Sequence, residues 1–296
     1  MILNSVLNRF LQGWNTLPLI IRATFSGFVV STLGIAVWSA IFLGFTTPWS
    51  ILLMIFVLYA YWKFFSGVWG PRKSAESRSL NFKRTRLSSR VWKWGLAGAI
   101  SFVIIIQSSF VITFRIWEFP AAKFTADYKL LENMPFWNAW AMLIMSSVVA
   151  GICEETGYRG YLQVPLEKKY GPVLAVIVTS VIFTLIHLTK TWAYPILPHI
   201  FSASVLLGIL AYKSGSLIPG IIGHSILDIF DYSIWWTNLT GGVNIQTIFK
   251  TGVDLNFVTW VLVFFFGLII FFRAVARFDK GSSKCIRSPK NRTYKN

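Results

Sequence analysis

Six residues in this chain are of types that together can activate water for hydrolysis. They are Glu154 and Glu155, Arg159, His187, and the pair His224 and Asp228. Carboxylates and imidazoles serve as general acids and bases, with or without a metal. Each of them lies inside or at the edge of a long apolar segment, where an ionisable group is costly and normally has both a partner and a task. Residues four apart on a helix share a face, so Glu155 meets Arg159 and His224 meets Asp228. Glu154 is turned about 100° from Glu155 and serves a different role. This assigns Glu155 to a structural ion pair with Arg159 and Glu154 to a cavity, with the reverse assignment open. An imidazole in a span can also simply hydrogen-bond a neighbouring helix, which is the competing account of His187. A carboxylate beside His224 can fix its tautomer and raise its basicity.

Three further residues belong to the same inventory. Asp231 lies seven after His224, near the same face, and is read as solvated at the outer end of its helix, ahead of a role supporting the site from behind. His199 follows Pro198 and is read as a satisfied polar residue at a helix start, ahead of a cavity-lining role. Cys153 could act as a nucleophile on residue type alone, but the adjoining carboxylates would disfavour a thiolate. Cys153 and Cys285, the two cysteines of the chain, are read as unpaired thiols.

These residues must be positioned by membrane helices. Hydrophobic residues make up 55% of the chain and charged ones only 13%, against about 25% charged in soluble domains. Several apolar runs reach spanning length. Alternation of barrel type is absent, so the expectation is an all-α, polytopic membrane helix bundle. About eight transmembrane helices are expected, near 23–43, 49–65, 94–114, from 136, 171–188, 198–212, 217–236 and 257–272. Residues 1–16 read as an amphipathic surface helix or an ordinary cap, with no secretory signal. The net charge of +17 invites a nucleic-acid reading, but its distribution opposes one. On this topology every Lys and Arg except Arg115, Lys123, Lys129, Lys190 and Lys250 falls on one side. The densest run is the basic loop 68–93. That is the positive-inside pattern, which makes both termini cytoplasmic. Binding to nucleic acid is therefore not expected; the lipid bilayer is the expected partner, and nothing fixes an oligomeric state. No internal repeat suggests an inverted-repeat transporter.

The order EExxxR (154–159), FxxxH (183–187) and Hxxx(N/D) (224–228) resembles the membrane-embedded CPBP family. Its name refers to CAAX proteases and bacteriocin processing; it is also called Abi and includes the type II CAAX prenyl proteases. The likeness extends through Gly160 to Gln163 and through Leu207 to Leu217. It covers about residues 136–236. On this reading 1–135 holds N-terminal membrane helices with the basic loop, 136–236 a catalytic helical core, and 237–296 the last transmembrane helix and a basic cytoplasmic tail.

The resemblance implies an intramembrane endopeptidase acting on a membrane-anchored or hydrophobic peptide or protein, in the cell membrane of a prokaryote. Glu154 would activate water, with His187 and His224 completing the site. Two mechanisms fit these residue types. In one, Glu154, His187 and His224 hold a divalent metal, zinc first, with a position left for water. In the other there is no permanent metal, and His224 and residue 228 stabilise the oxyanion. The family's last position is often Asn, which can donate a hydrogen bond. An ionised Asp228 cannot, which favours the metal or an orienting role for it. The alternatives are a non-catalytic membrane scaffold or bacteriocin-immunity protein, and a proton-coupled transporter. One geometric demand follows. At about 1.5 Å rise per residue, His187 lies far along its helix from its cytoplasmic start. The site closes only if the fourth span runs on past Leu162, beyond the end that hydropathy gives it, or if the fifth span tilts or starts deep.

Overall fold

The computed structural model describes residues 13–83, 87–125, 131, 133–190, 192–237, 239–240 and 245–282. Most of the expected surface helix 1–16, Arg84 and Arg86 of the basic loop, Lys129 of the next loop, and the tail beyond Ser282, with Cys285, lie outside these residues. The described residues form a polytopic bundle of helices and contain no strand.

The bundle is built from α1 (Leu19–Gly44), α2 (Trp49–Phe65), α3 (Arg72–Asn81), α4 (Ser89–Ile116), α5 (Phe136–Glu154), α6 (Gln163–Tyr170), α7 (Pro172–Ile186), α8 (Leu197–Ser214), α9 (Ile218–Asp231) and α10 (Leu255–Ser282). Six stretches among the described residues are long and apolar enough to cross a membrane: Leu19–Gly44, Val91–Ile116, Phe136–Tyr170, Pro172–Thr189, Tyr194–Ser214 and Leu255–Phe278. Helices α2 and α9 occupy the other two expected spans and are shorter. Large apolar side chains face outward along these helices, such as Phe25, Phe56 and Phe266, as a hydrocarbon solvent allows.

The fourth span meets the geometric demand set by the sequence. Phe136–Tyr170 is one continuous helical run, in which α5 passes into a π-helical stretch, Glu155–Leu162, and then α6. Glu154 therefore sits near the middle of the run instead of at its end. The run is held at its far end by polar contacts. Gln163, fully buried, donates to the Glu167 carboxylate at 2.7 Å and to the Gly208 carbonyl of α8 at 3.0 Å. Lys83, from the basic loop, lies 3.0 Å from both Glu167 oxygens. Burial pulls the Lys83 amine below its usual range, with Glu167 pulling the other way. The chain then reverses at Gly171-Pro172 into α7.

Two larger cores flank this run. One joins α1, α2 and α5 through Val30, Trp38, Met54, Tyr61, Met142 and Cys153. The other is aromatic, with Phe102, Phe110, Phe114, Trp235, Trp236 and Phe271. A smaller third cluster, which includes Tyr158, Leu162 and Phe183, lies along the π-helical run. The candidate site lies where α5, α7, α8 and α9 meet.

Candidate active site

The π-helical stretch begins one residue after Glu154, and such stretches are commonly found at functional sites. Its first residue, Glu155, is fully buried. Glu155 Oε1 is 3.0 Å from Arg159 Nη1 and 2.9 Å from His224 Nδ1. One carboxylate oxygen thus ties the ion pair of the fourth span to the imidazole of α9. Its other oxygen rests against Gly220 of α9, where a Cβ would come within 2.9 Å. The absence of a side chain at Gly220 lets α9 close on the carboxylate.

Arg159 is itself fully buried. Its second terminal nitrogen reaches the Ser204 hydroxyl at 3.0 Å, and its guanidinium lies 4.6 Å from the centre of the Phe183 ring. Phe183 also stands 4.7 Å from the His187 ring and 6.4 Å from that of His224, centre to centre. The phenylalanine of the FxxxH pattern is therefore the apolar plate between the arginine and the histidines, a cation–π geometry on one side.

His187 closes α7, in a 3₁₀ turn over His187–Thr189. Its Nδ1 is 2.8 Å from the Phe183 carbonyl. A carbonyl only accepts, so Nδ1 carries the proton and Nε2 is left free. His224 shows the mirror arrangement. With Nδ1 donating to Glu155, its Nε2 lies 3.8 Å from Glu154 and 3.7 Å from Asp228. Neither is a hydrogen bond. The partner that orients His224 is therefore Glu155, and Asp228 stands beside the ring out of hydrogen-bond reach.

Glu154, His187, His224 and Asp228 line one cavity of about 100 Å³. Asp231 and His199 line it too, which corrects the solvated reading of Asp231 and adds a cavity face to the helix-start reading of His199. Asp231 is buried, not solvated, and accepts a hydrogen bond from Gln107 of α4. The Gln107 carbonyl in turn accepts from Trp235 Nε1 at 3.1 Å. His199 Nε2 lies 3.0 Å from the Thr113 hydroxyl and 3.3 Å from the Ser109 carbonyl, while its Nδ1 meets no partner. The signal for Asp231 was its seven-residue spacing from His224. For His199 there was no sequence signal, because its partners come from α4. Cys153 is fully buried in the core of α1, α2 and α5, away from the cavity.

The donor types suit a zinc ion, but the arrangement does not gather them. Among the described residues no three of His, Cys, Asp or Glu come together as a group able to hold a metal. Glu154, His187 and His224 do not fit one as placed.

Residues 136–230 match the family model described as type II CAAX prenyl endopeptidase, Rce1-like. No curated protein and no solved structure matches the chain significantly.

Proposed function

We propose that this chain, whose residues 136–230 match the Rce1-like type II CAAX prenyl endopeptidase family, is an intramembrane endopeptidase that hydrolyses a membrane-anchored or hydrophobic peptide. One observation carries the reading: Glu154, His187, His224 and Asp228, drawn from three separate helical segments, line a single cavity.

In this mechanism Glu154 takes a proton from water as the water attacks the scissile carbonyl. His187, with Nδ1 committed to Phe183, presents Nε2 as a second acceptor for that water. His224, fixed through Nδ1 by Glu155, faces the cavity with Nε2 and, when protonated, donates to the oxyanion. Asp228, 3.7 Å from Nε2 and out of hydrogen-bond reach, lies beside the oxyanion donor instead of being one. Collapse of the tetrahedral species returns the Glu154 proton to the leaving amine. No step is routed through a metal.

The test is cleavage of a membrane-anchored peptide library by purified protein in lipid. Glu154→Gln is expected to lose about 10²- to 10⁴-fold in kcat, the range for a positioned general base, while wild type keeps its activity in chelator. Cleavage by Glu154→Gln at the wild-type rate refutes the role of Glu154. Loss of wild-type activity in chelator would restore the zinc set Glu154, His187 and His224. If wild type cleaves nothing and instead retains a protein partner, the scaffold or immunity reading replaces the peptidase.

A further inference from the structure

Gln107 marks the wall between two cavities. Its neighbour Ile106 lines the candidate active site. Gln107 itself lines a second cavity of about 570 Å³ between α4, the end of α9 and α10. The walls of this second cavity are apolar, with Ile104, Val111, Ile234, Trp260 and Val263 among them. Its flank is open where Phe230 is 46% exposed. At one end stands Arg115, which is buried. Arg115 Nη2 is held by Asp254 at 2.8 Å and by the Thr251 hydroxyl at 2.9 Å. Its Nε has no partner. Asp254 stays ionised, held below the usual carboxylate range by the Phe257 N–H and then by Arg115.

We propose that this cavity binds one membrane glycerophospholipid, with an acyl chain between α4 and α10 and a phosphodiester oxygen accepting from Arg115 Nε. Three features argue for that occupant. The free group is a donor on a cation, so the ligand must bring an acceptor, and a buried donor left unpaired is costly. Arg115 lies in the last turn of a spanning helix, at the depth where lipid phosphates lie. From Arg115 down α4 to Val103, also in the lining, is about 18 Å at 1.5 Å per residue. Half of a hydrocarbon core is about 15 Å, the reach of one acyl chain. The bound chain would pass Gln107, whose amide holds Asp231 of the catalytic cavity. The lipid is thus placed to stiffen that wall. The inference does not depend on the peptidase reading.

Delipidated protein in detergent is titrated with dioleoyl phosphatidylglycerol and followed by native mass spectrometry, with dioleoylglycerol as the headless control. Wild type is expected to retain one phospholipid and to bind the diacylglycerol at least about tenfold more weakly. Val111→Trp and Val263→Trp, which fill the cavity from facing helices, should weaken phospholipid retention by about tenfold while unfolding at the wild-type temperature. Should neither fold, Arg115→Lys decides: it keeps the cation beside Asp254 and removes the Nε donor, and should weaken retention several-fold. Unchanged retention in the folded Trp variants, or in Arg115→Lys, overturns the site. Equal binding of the diacylglycerol overturns the role of the phosphate.

Discussion

Removing the Glu155 carboxylate strips Arg159 of its ion-pair partner and His224 of its Nδ1 acceptor together. Arg159 would then be a fully buried cation without a counter-ion. Breaking a buried pair from one side costs about 3–5 kcal/mol. Glu155→Ala is therefore expected to unfold at much lower temperature or denaturant than wild type. Glu154→Ala, whose carboxylate lines the cavity, should fold like wild type and fail only in cleavage. Melting the two variants side by side in the same detergent checks this, and equal stability would refute the division of labour between the adjacent glutamates. Half of that division was legible in the sequence, because Glu155 and Arg159 are four apart on one helical run. The other half was not. His224 reaches Glu155 across 69 positions of chain, and the nearer Asp228, at helical spacing, was the natural choice from sequence. Asp231 misled for the same reason: its burial depends on Gln107, a residue of α4 that no local pattern connects to it.

At the scale of elements, the apolar content of Tyr158–Leu166 is what lets the fourth span run on past Leu162; hydropathy alone does not give its end at Tyr170. The π-helical stretch inside it was not foretold, since helical periodicity cannot show a local widening. That stretch packs closely against α1. A Cβ on Gly157 would lie 2.7 Å from Ser31 Cβ and would also meet the Gly27 carbonyl. The backbones cannot separate without moving α1 off the turn that carries Arg159. Gly157→Ala is thus expected to cost about 1–3 kcal/mol by overpacking. Gly44→Ala, with nothing within 4 Å, should be neutral and serves as the control. A denaturant series in mixed micelles that ranks the two variants equally would show that the α1 contact is slack. Gly220→Ala tests the same idea at the site. Its Cβ would press on Glu155 Oε2, so kcat should fall more than KM rises, because His224 is displaced and the cavity walls are not.

For the whole molecule, the number of crossings turns on α9. At 14 residues, α9 is about 21 Å long at 1.5 Å per residue, short of a core of about 30 Å. The π-helical stretch Tyr232–Trp236 carries the chain roughly 7 Å further, which is enough for α9 to cross with little tilt. If it crosses, the basic loop around α3 and the segment before α10 lie on opposite faces, five crossings apart. If α9 only dips in and returns, they lie on the same face. The charge distribution predicts opposite faces, with the basic loop cytoplasmic. The chain offers a direct reading, because Cys153 is fully buried and Cys285 can be replaced by serine. Ser77 and Lys250 are both exposed, so Ser77→Cys and Lys250→Cys report the two faces. A membrane-impermeant maleimide applied to intact cells should label Lys250→Cys at once, and Ser77→Cys only after permeabilisation. Labelling of neither before permeabilisation would mean that α9 is re-entrant. The candidate cavity would then be reached from the cytoplasmic face along a half-inserted helix, with His224 and Asp228 on the re-entrant segment.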